Sequence, residues 1–92
     1  MTNESSIFKN LTRDVRSVGG ESFHADKLHT GFPDKLILLP GRVTLFAELK
    51  TPIGDMRPGQ PYWQKRLADL GFPTGVFRDY ELLLEWVKEH KA

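Results

Sequence analysis

Two short apolar segments joined by Pro40-Gly41-Arg42 constrain this chain more than any other feature. Residues 34–39, DKLILL, read as one strand, and residues 43–50, VTLFAELK, as the next. A three-residue connection leaves no room for a crossover, so the two strands must pair antiparallel. With Leu39 set opposite Val43, stepping outward along the ladder brings Asp34 opposite Glu48. Cross-strand partners hold their Cβ atoms about 5 Å apart, so this register puts two carboxylates side by side. Carboxylates that close repel each other, and the usual outcome is a raised pKa or a bound cation. Side chains alternate along a strand, so Lys50 emerges on the same side as Glu48, one step further on. A slip of one residue would send the two acids to opposite faces, which makes the register the critical expectation.

The rest of the chain supplies a frame for that hairpin. Residues 4–17 predict a helix, with Ile7, Phe8, Leu11, Val15 and Val18 recurring at spacings of three and four until Gly19-Gly20 stops it. Residues 21–25 read as a weak strand and residues 26–33 as a loop. The segment 43–50 is apolar almost throughout, as a central strand buried on both faces should be. Pro52 and Gly54 end it. A second helix is expected from Pro58 to about Leu70, with Trp63, Leu67 and Leu70 facing the core and Gly71 as its stop. Residues 74–78 read as a last strand, and residues 79–90 as a last helix with Leu82, Leu83, Trp86 and Val87 on its apolar side. The expected class is α/β in the order α-β-β-β-α-β-α. The sheet is expected to be mixed, because the last strand arrives through a helical crossover.

Ninety-two residues fit one small domain, which buries a modest fraction of its surface and would gain stability from self-association. The formal net charge is only +1, low for a protein that holds nucleic acid by bulk electrostatics. Divalent cations held by the acids would change that balance, since each adds two positive charges where a phosphate would sit. There are no cysteines, which excludes disulfide scaffolds and thiolate metal sites. No apolar stretch approaches the ~20 residues that span a bilayer. The segment MTNESSIFKN lacks the basic start and apolar core of a signal peptide. The expectation is therefore a cytoplasmic protein with no membrane contact.

Paired carboxylates with an adjacent lysine suit phosphodiester hydrolysis. Mg²⁺ prefers oxygen ligands and usually takes one or two carboxylates, several waters and a substrate phosphate. The ion activates water and stabilises charge on phosphorus, and an ammonium such as that of Lys50 orients the water or stabilises the transition state.

The runs Gly31-Phe32-Pro33-Asp34, Leu36-Ile37-Leu38-Leu39-Pro40-Gly41 and Phe46-Ala47-Glu48-Leu49-Lys50 resemble the virus-type replication-repair nuclease (VRR-NUC) domain of the PD-(D/E)XK superfamily. The likeness continues into Gln60, Trp63, Leu67 and Leu70-Gly71, and it spans nearly the whole chain as one domain. It implies a restriction-endonuclease-like core and a DNA endonuclease dependent on Mg²⁺ or Mn²⁺. It also implies roles for individual residues. Asp34, Glu48 and the Leu49 backbone carbonyl would hold the metal, and Lys50 would be the catalytic lysine. Gln60 matches the family's helix glutamine, with Gln64 as a weaker candidate, although Pro61 departs from the pattern. Glu4 matches the acid of the first helix that completes the metal site, with Glu21 as a fallback. His24 stands where relatives often carry a lysine and is a candidate phosphate contact. Apart from the resemblance, Lys27, Lys35, Arg42, Arg57, Lys65 and Arg66 are candidates for contacts to a nucleic-acid backbone, since phosphate contacts dominate nucleic-acid affinity. Stand-alone members occur in phages and bacteria and resemble Holliday-junction resolvases, which implies a homodimer acting on branched or four-way-junction DNA in a bacterial or phage-infected cell. Two other functions fit a chain of this kind: a non-catalytic nucleic-acid-binding module, and a subunit-interaction domain with a decayed site.

Overall fold

A computed structural model of the chain describes residues 4–50 and 58–91, apart from the side chains of residues 4 and 5. The elements run α1 (Glu4–Ser17), β1 (Glu21–His24), β2 (Lys35–Leu39), β3 (Val43–Leu49), α2 (Gln60–Asp69), β4 (Thr74–Phe77) and α3 (Tyr80–Glu89). This is the expected α-β-β-β-α-β-α order. The four strands form one sheet in the order β1-β2-β3-β4. The first three are antiparallel, and β4 runs parallel to β3, so the sheet is mixed as expected.

The hairpin register also follows the expectation, with Leu39 opposite Val43 and Lys35 opposite Ala47. Alternation then divides the strands between two faces. Ile37, Leu39, Leu45 and Ala47 point to one side, where they form the core with Leu11 and Val15 of α1 and Leu83 and Val87 of α3. The opposite side carries Phe46 and Glu48, and there α2 packs: the Thr74 hydroxyl of β4 donates to the Gln64 carbonyl of α2 (3.2 Å). The strand β3 is covered from both sides, and Leu45, Phe46, Ala47 and Glu48 are buried in succession.

Among the described residues, two helices cover one face and one covers the other, so the second face is half covered. The helix α2 lies over β3 and β4. On the β1–β2 half of the same face Phe23 and Leu38 are exposed. Asp34 and Glu48 sit at the margin between the two halves.

Several expectations need correction. Residue 34 precedes β2, and residue 50 follows β3. The helix α2 begins at Gln60, with Gly59 as its N-cap. Pro61 therefore falls in the first turn, where no backbone N–H is required of it. Leu70 and Leu82 are not core residues and are more than half exposed. Leu70 caps α2, past its last packed turn. On α3 the buried pair is Leu83 and Val87, four residues apart, and Leu82 is rotated about 100° off that stripe. Among the described residues no helix is long and apolar enough to cross a membrane.

Candidate active site

The candidate residues gather at one end of the β2–β3 pair. Continuing the register one step past Lys35 and Ala47 sets Asp34 across from Glu48. Asp34 is held there by its backbone, since its carbonyl accepts from the Ala25 amide at 2.7 Å. Lys50 is fixed in the same way: its amide donates to the Phe77 carbonyl of β4 at 2.8 Å. With the main chain anchored at both points, the side chains of Glu48 and Lys50 share the α2 side of the sheet. The Lys50 ammonium lies 3.6 Å from Glu48 Oε2, and the two side chains are 10% and 2% exposed. Water screens such a pair little, so its field is stronger than that of a surface pair.

Gln60 opens α2 and is 1% exposed. What fixes its position relative to the loop that leads into Asp34 is the contact of two glycines in the left-handed region, Gly31 (φ +82°) and Gly59 (φ +87°). A Cβ on Gly31 would lie 2.6 Å from the Gly59 carbonyl carbon and 3.0 Å from the Gln60 nitrogen. The loop leading into Asp34 thus presses directly on the start of the helix that carries Gln60. No local pattern announces that contact; only the two glycines themselves hint at it.

The other candidates divide. His24 ends β1 opposite Lys35, and its ring stacks on Phe8 of α1 (3.7 Å between centroids). It belongs to the α1 side of the sheet, across from the face that carries Glu48. Lys27 is exposed in the loop after β1. Glu21 pairs with Leu38, at the opposite end of β1 from His24, and forms an exposed ion pair with Arg16 (3.1 Å). Three strand residues separate it from the site, roughly 10 Å, so it does not substitute for Glu4. The Glu4 side chain and Arg57 lie outside the described residues. Lys35 is not a surface cation: it is 2% exposed and its ammonium sits 5.3 Å from the centre of the Phe8 ring. Its alternation with Ile37 and Leu39 is the sequence signal that points it inward.

Among the described residues no three His, Asp or Glu side chains converge as a metal cage. Asp34, Glu48 and the Leu49 carbonyl are an oxygen-only donor set at the end of one ladder. A donor set of two carboxylates and a carbonyl has the hard-oxygen chemistry that suits Mg²⁺ or Mn²⁺, which fill their remaining positions with water and phosphate.

No family model matches the chain. Over 80 residues it is 34% identical to a protein of Acyrthosiphon pisum secondary endosymbiont phage 1 named "Putative nuclease p44", and the match covers 86% of each of the two chains. A solved structure described as a "VRR_NUC domain" superposes with a TM-score of 0.78 over 100% of both chains, at 23% identity. At that identity the likeness concerns the fold.

Proposed function

The chain belongs to the virus-type replication-repair nuclease family, and from that premise we propose that it is a divalent-metal-dependent endonuclease acting on DNA phosphodiester bonds. The observation that carries the reading is the Glu48–Lys50 pair, nearly buried at the end of the ladder where the register brings Asp34. A buried ion pair is a poor way to gain stability, because desolvation offsets most of the attraction. Placed beside a second acid at the sheet margin, the pair suits chemistry better than folding.

Asp34, Glu48 and the Leu49 carbonyl would hold Mg²⁺ or Mn²⁺, with Glu4 completing the set. The bound ion supplies Lewis-acid stabilisation of charge on phosphorus and a water of lowered pKa. Lys50 orients the attacking water and stabilises the charge that develops on the phosphoryl oxygens. Gln60, carried on the first turn of α2, fixes the water or a phosphate oxygen by hydrogen bonding. Lys27 and Arg57 contact the backbone of the substrate and set its position without reading its sequence, whereas His24, stacked on Phe8, lies on the other side of the sheet.

The test is a three-variant comparison. Lys50→Ala should lower cleavage by at least ~10²-fold and leave cation binding intact by calorimetry. Asp34→Asn and Glu48→Gln should weaken both. Near-normal turnover in all three variants would reject the assignment.

The proposal extends to assembly and substrate. A symmetric homodimer would present two sites to the two related strands of a four-way junction. A small domain benefits from the added burial, and Phe72 and Val76, in or just before the edge strand β4, offer exposed apolar surface. Sedimentation equilibrium should show a dimer, and labelled junctions should be cut in preference to linear duplex. A monomer fully active on linear duplex and inert on junctions would reject this extension alone.

A further inference from the structure

Beside the proposed active centre lies a cleft of about 330 Å³ lined by Asp26, Thr30, Gly31, Phe32 and Pro58. Its size is at the lower end of small-ligand sites, roughly 300–1,000 Å³. We propose that this cleft takes one unpaired nucleobase of the substrate and prefers guanine; the inference rests on the nuclease reading given above.

Position is the first reason. One wall is the loop that runs through Phe32 and Pro33 into Asp34. The other is the turn that runs through Pro58 and Gly59 into Gln60. The Gly31–Gly59 contact joins the two walls. Each wall is thus two residues from a candidate active-site side chain, about 7 Å along extended chain. That is comparable to the reach from a phosphate to its own base.

The walls suit a flat ring. Phe32 is held edge to face by Phe46 (5.5 Å, 88°) and by Trp63 (5.1 Å, 60°). Trp63 is held in turn by His29 (5.1 Å) and Tyr62 (5.2 Å). An aromatic wall braced in this way loses little freedom when a base packs on it. Pro58 supplies a rigid apolar surface. Unpaired bases are held by just such contacts, since every base has a π face.

The polar edge of the cleft decides which ring. Among the described lining residues Asp26 is the ionisable one, and a carboxylate there repels a phosphate and favours N–H donors. An ionised carboxylate offers two acceptor oxygens. Guanine presents two adjacent donors, N1–H and the 2-amino group, which match them. Adenine and cytosine present one amino group beside an acceptor nitrogen, and thymine one N–H between two carbonyls. The Thr30 hydroxyl adds a donor of the kind guanine O6 accepts.

Fluorescence anisotropy in EDTA, with duplexes carrying a single bulged nucleotide, tests the proposal. The bulge is guanine, inosine, adenine, cytosine, thymine or an abasic residue, and wild type is compared with Asp26→Ala and Asp26→Asn. For wild type, guanine should bind on the order of ten-fold tighter than the abasic reference, from stacking. It should also bind several-fold tighter than inosine, which lacks the 2-amino donor. In Asp26→Ala and Asp26→Asn the guanine-to-inosine ratio should fall to one, while an advantage over the abasic bulge remains. Equal binding of guanine and inosine by wild type, an unchanged ratio in Asp26→Ala, or no binding of any bulge overturns the proposal. Cleavage in Mg²⁺ separates the two readings. Lys50-dependent cutting with flat base ratios sinks the cleft and leaves the nuclease standing. Base ratios that hold in a protein that never cuts sink the nuclease and leave a guanine-selective cleft.

Discussion

Replacing Gly31 by alanine should do more harm than the same change at Gly71, a left-handed position with open surroundings, and the structure says by how much. The backbone at Gly31 has φ +82°, where an L residue carries a cost of about 1–2 kcal/mol. A Cβ there would lie 2.6 and 2.8 Å from the Gly59 carbonyl carbon and Cα. These are main-chain atoms and cannot swing aside as a flexible side chain would. Forcing a methyl group into a packed contact of this kind costs a further ~1–3 kcal/mol. Gly71 is the control: its φ is +97°, and a Cβ there meets nothing within 4 Å. Both substitutions restrict the unfolded chain equally, so that effect cancels in the comparison. Gly71→Ala should therefore cost about 1–2 kcal/mol, or roughly 4–16 °C in Tm, and Gly31→Ala about 2–5 kcal/mol, or roughly 8–40 °C. Urea unfolding followed by tryptophan fluorescence gives both values. Part of the Gly31→Ala strain can be relieved by moving the start of α2 away from the loop. In that case stability falls less, and under the nuclease reading cleavage falls because Gln60 shifts relative to the loop that leads into Asp34. Equal stability of the two variants, within about 0.5 kcal/mol, together with equal cleavage, would refute the claim that the Gly31–Gly59 contact positions the site.

Other expectations can be checked with the same protein. Tyr80→Phe removes the hydroxyl that donates to Asp14 Oδ2 at 2.7 Å and ties α3 to α1; a loss of about 1 kcal/mol is expected, since the bond is charge-assisted but partly solvated. Hydrogen bonds from Arg13 and then Tyr80 hold the Asp14 carboxyl below its ordinary value of 3.8. That stabilisation is fully present above the ordinary value and is lost as pH falls through the lowered one, so the gap between wild type and Tyr80→Phe should narrow in strong acid. Burial, then Asp14, raises the Tyr80 phenol above its ordinary 10.0, so its contribution should persist to pH 10 and fade only at higher pH; a gap that is flat across both ranges would reject the tether. Under the metal reading, Mg²⁺ should raise Tm by mass action and support cutting, while Ca²⁺ should support binding with little cutting, because it tolerates looser coordination. Cleavage undiminished in excess EDTA would refute that reading.

The extent to which this fold could be read in advance depends on the range of the interaction concerned. The β2–β3 register was legible because Pro40-Gly41-Arg42 is too short to allow another pairing, and the observed partners follow it residue by residue. The mixed sheet was legible for a similar reason, since a helix between β3 and β4 forces a parallel crossover. Helical periodicity was less informative. It nominates Leu82 and Leu83 alike, and only the position of α3 over the sheet decides that Leu83 is buried and Leu82 exposed. Lys35, a candidate phosphate contact by its charge, is buried, and alternation with Ile37 and Leu39 already aims it at the core. The Gly31–Gly59 contact joins segments 28 residues apart and leaves no periodic trace. The candidate site combines both kinds of information. Its two acids and lysine come from one hairpin, so their mutual placement follows from local rules. Gln60 and the neighbouring cleft come from a loop and a helix start that meet only in three dimensions. The uneven cover of the sheet explains why the meeting point is where it is. With α1 and α3 on one face and α2 alone on the other, the end of β2–β3 is the place where a buried acid borders an open surface. Under the nuclease reading an extended substrate would reach Glu48 and Lys50 along that margin, and the sequence order of the helices, rather than any residue of the motif, puts it there.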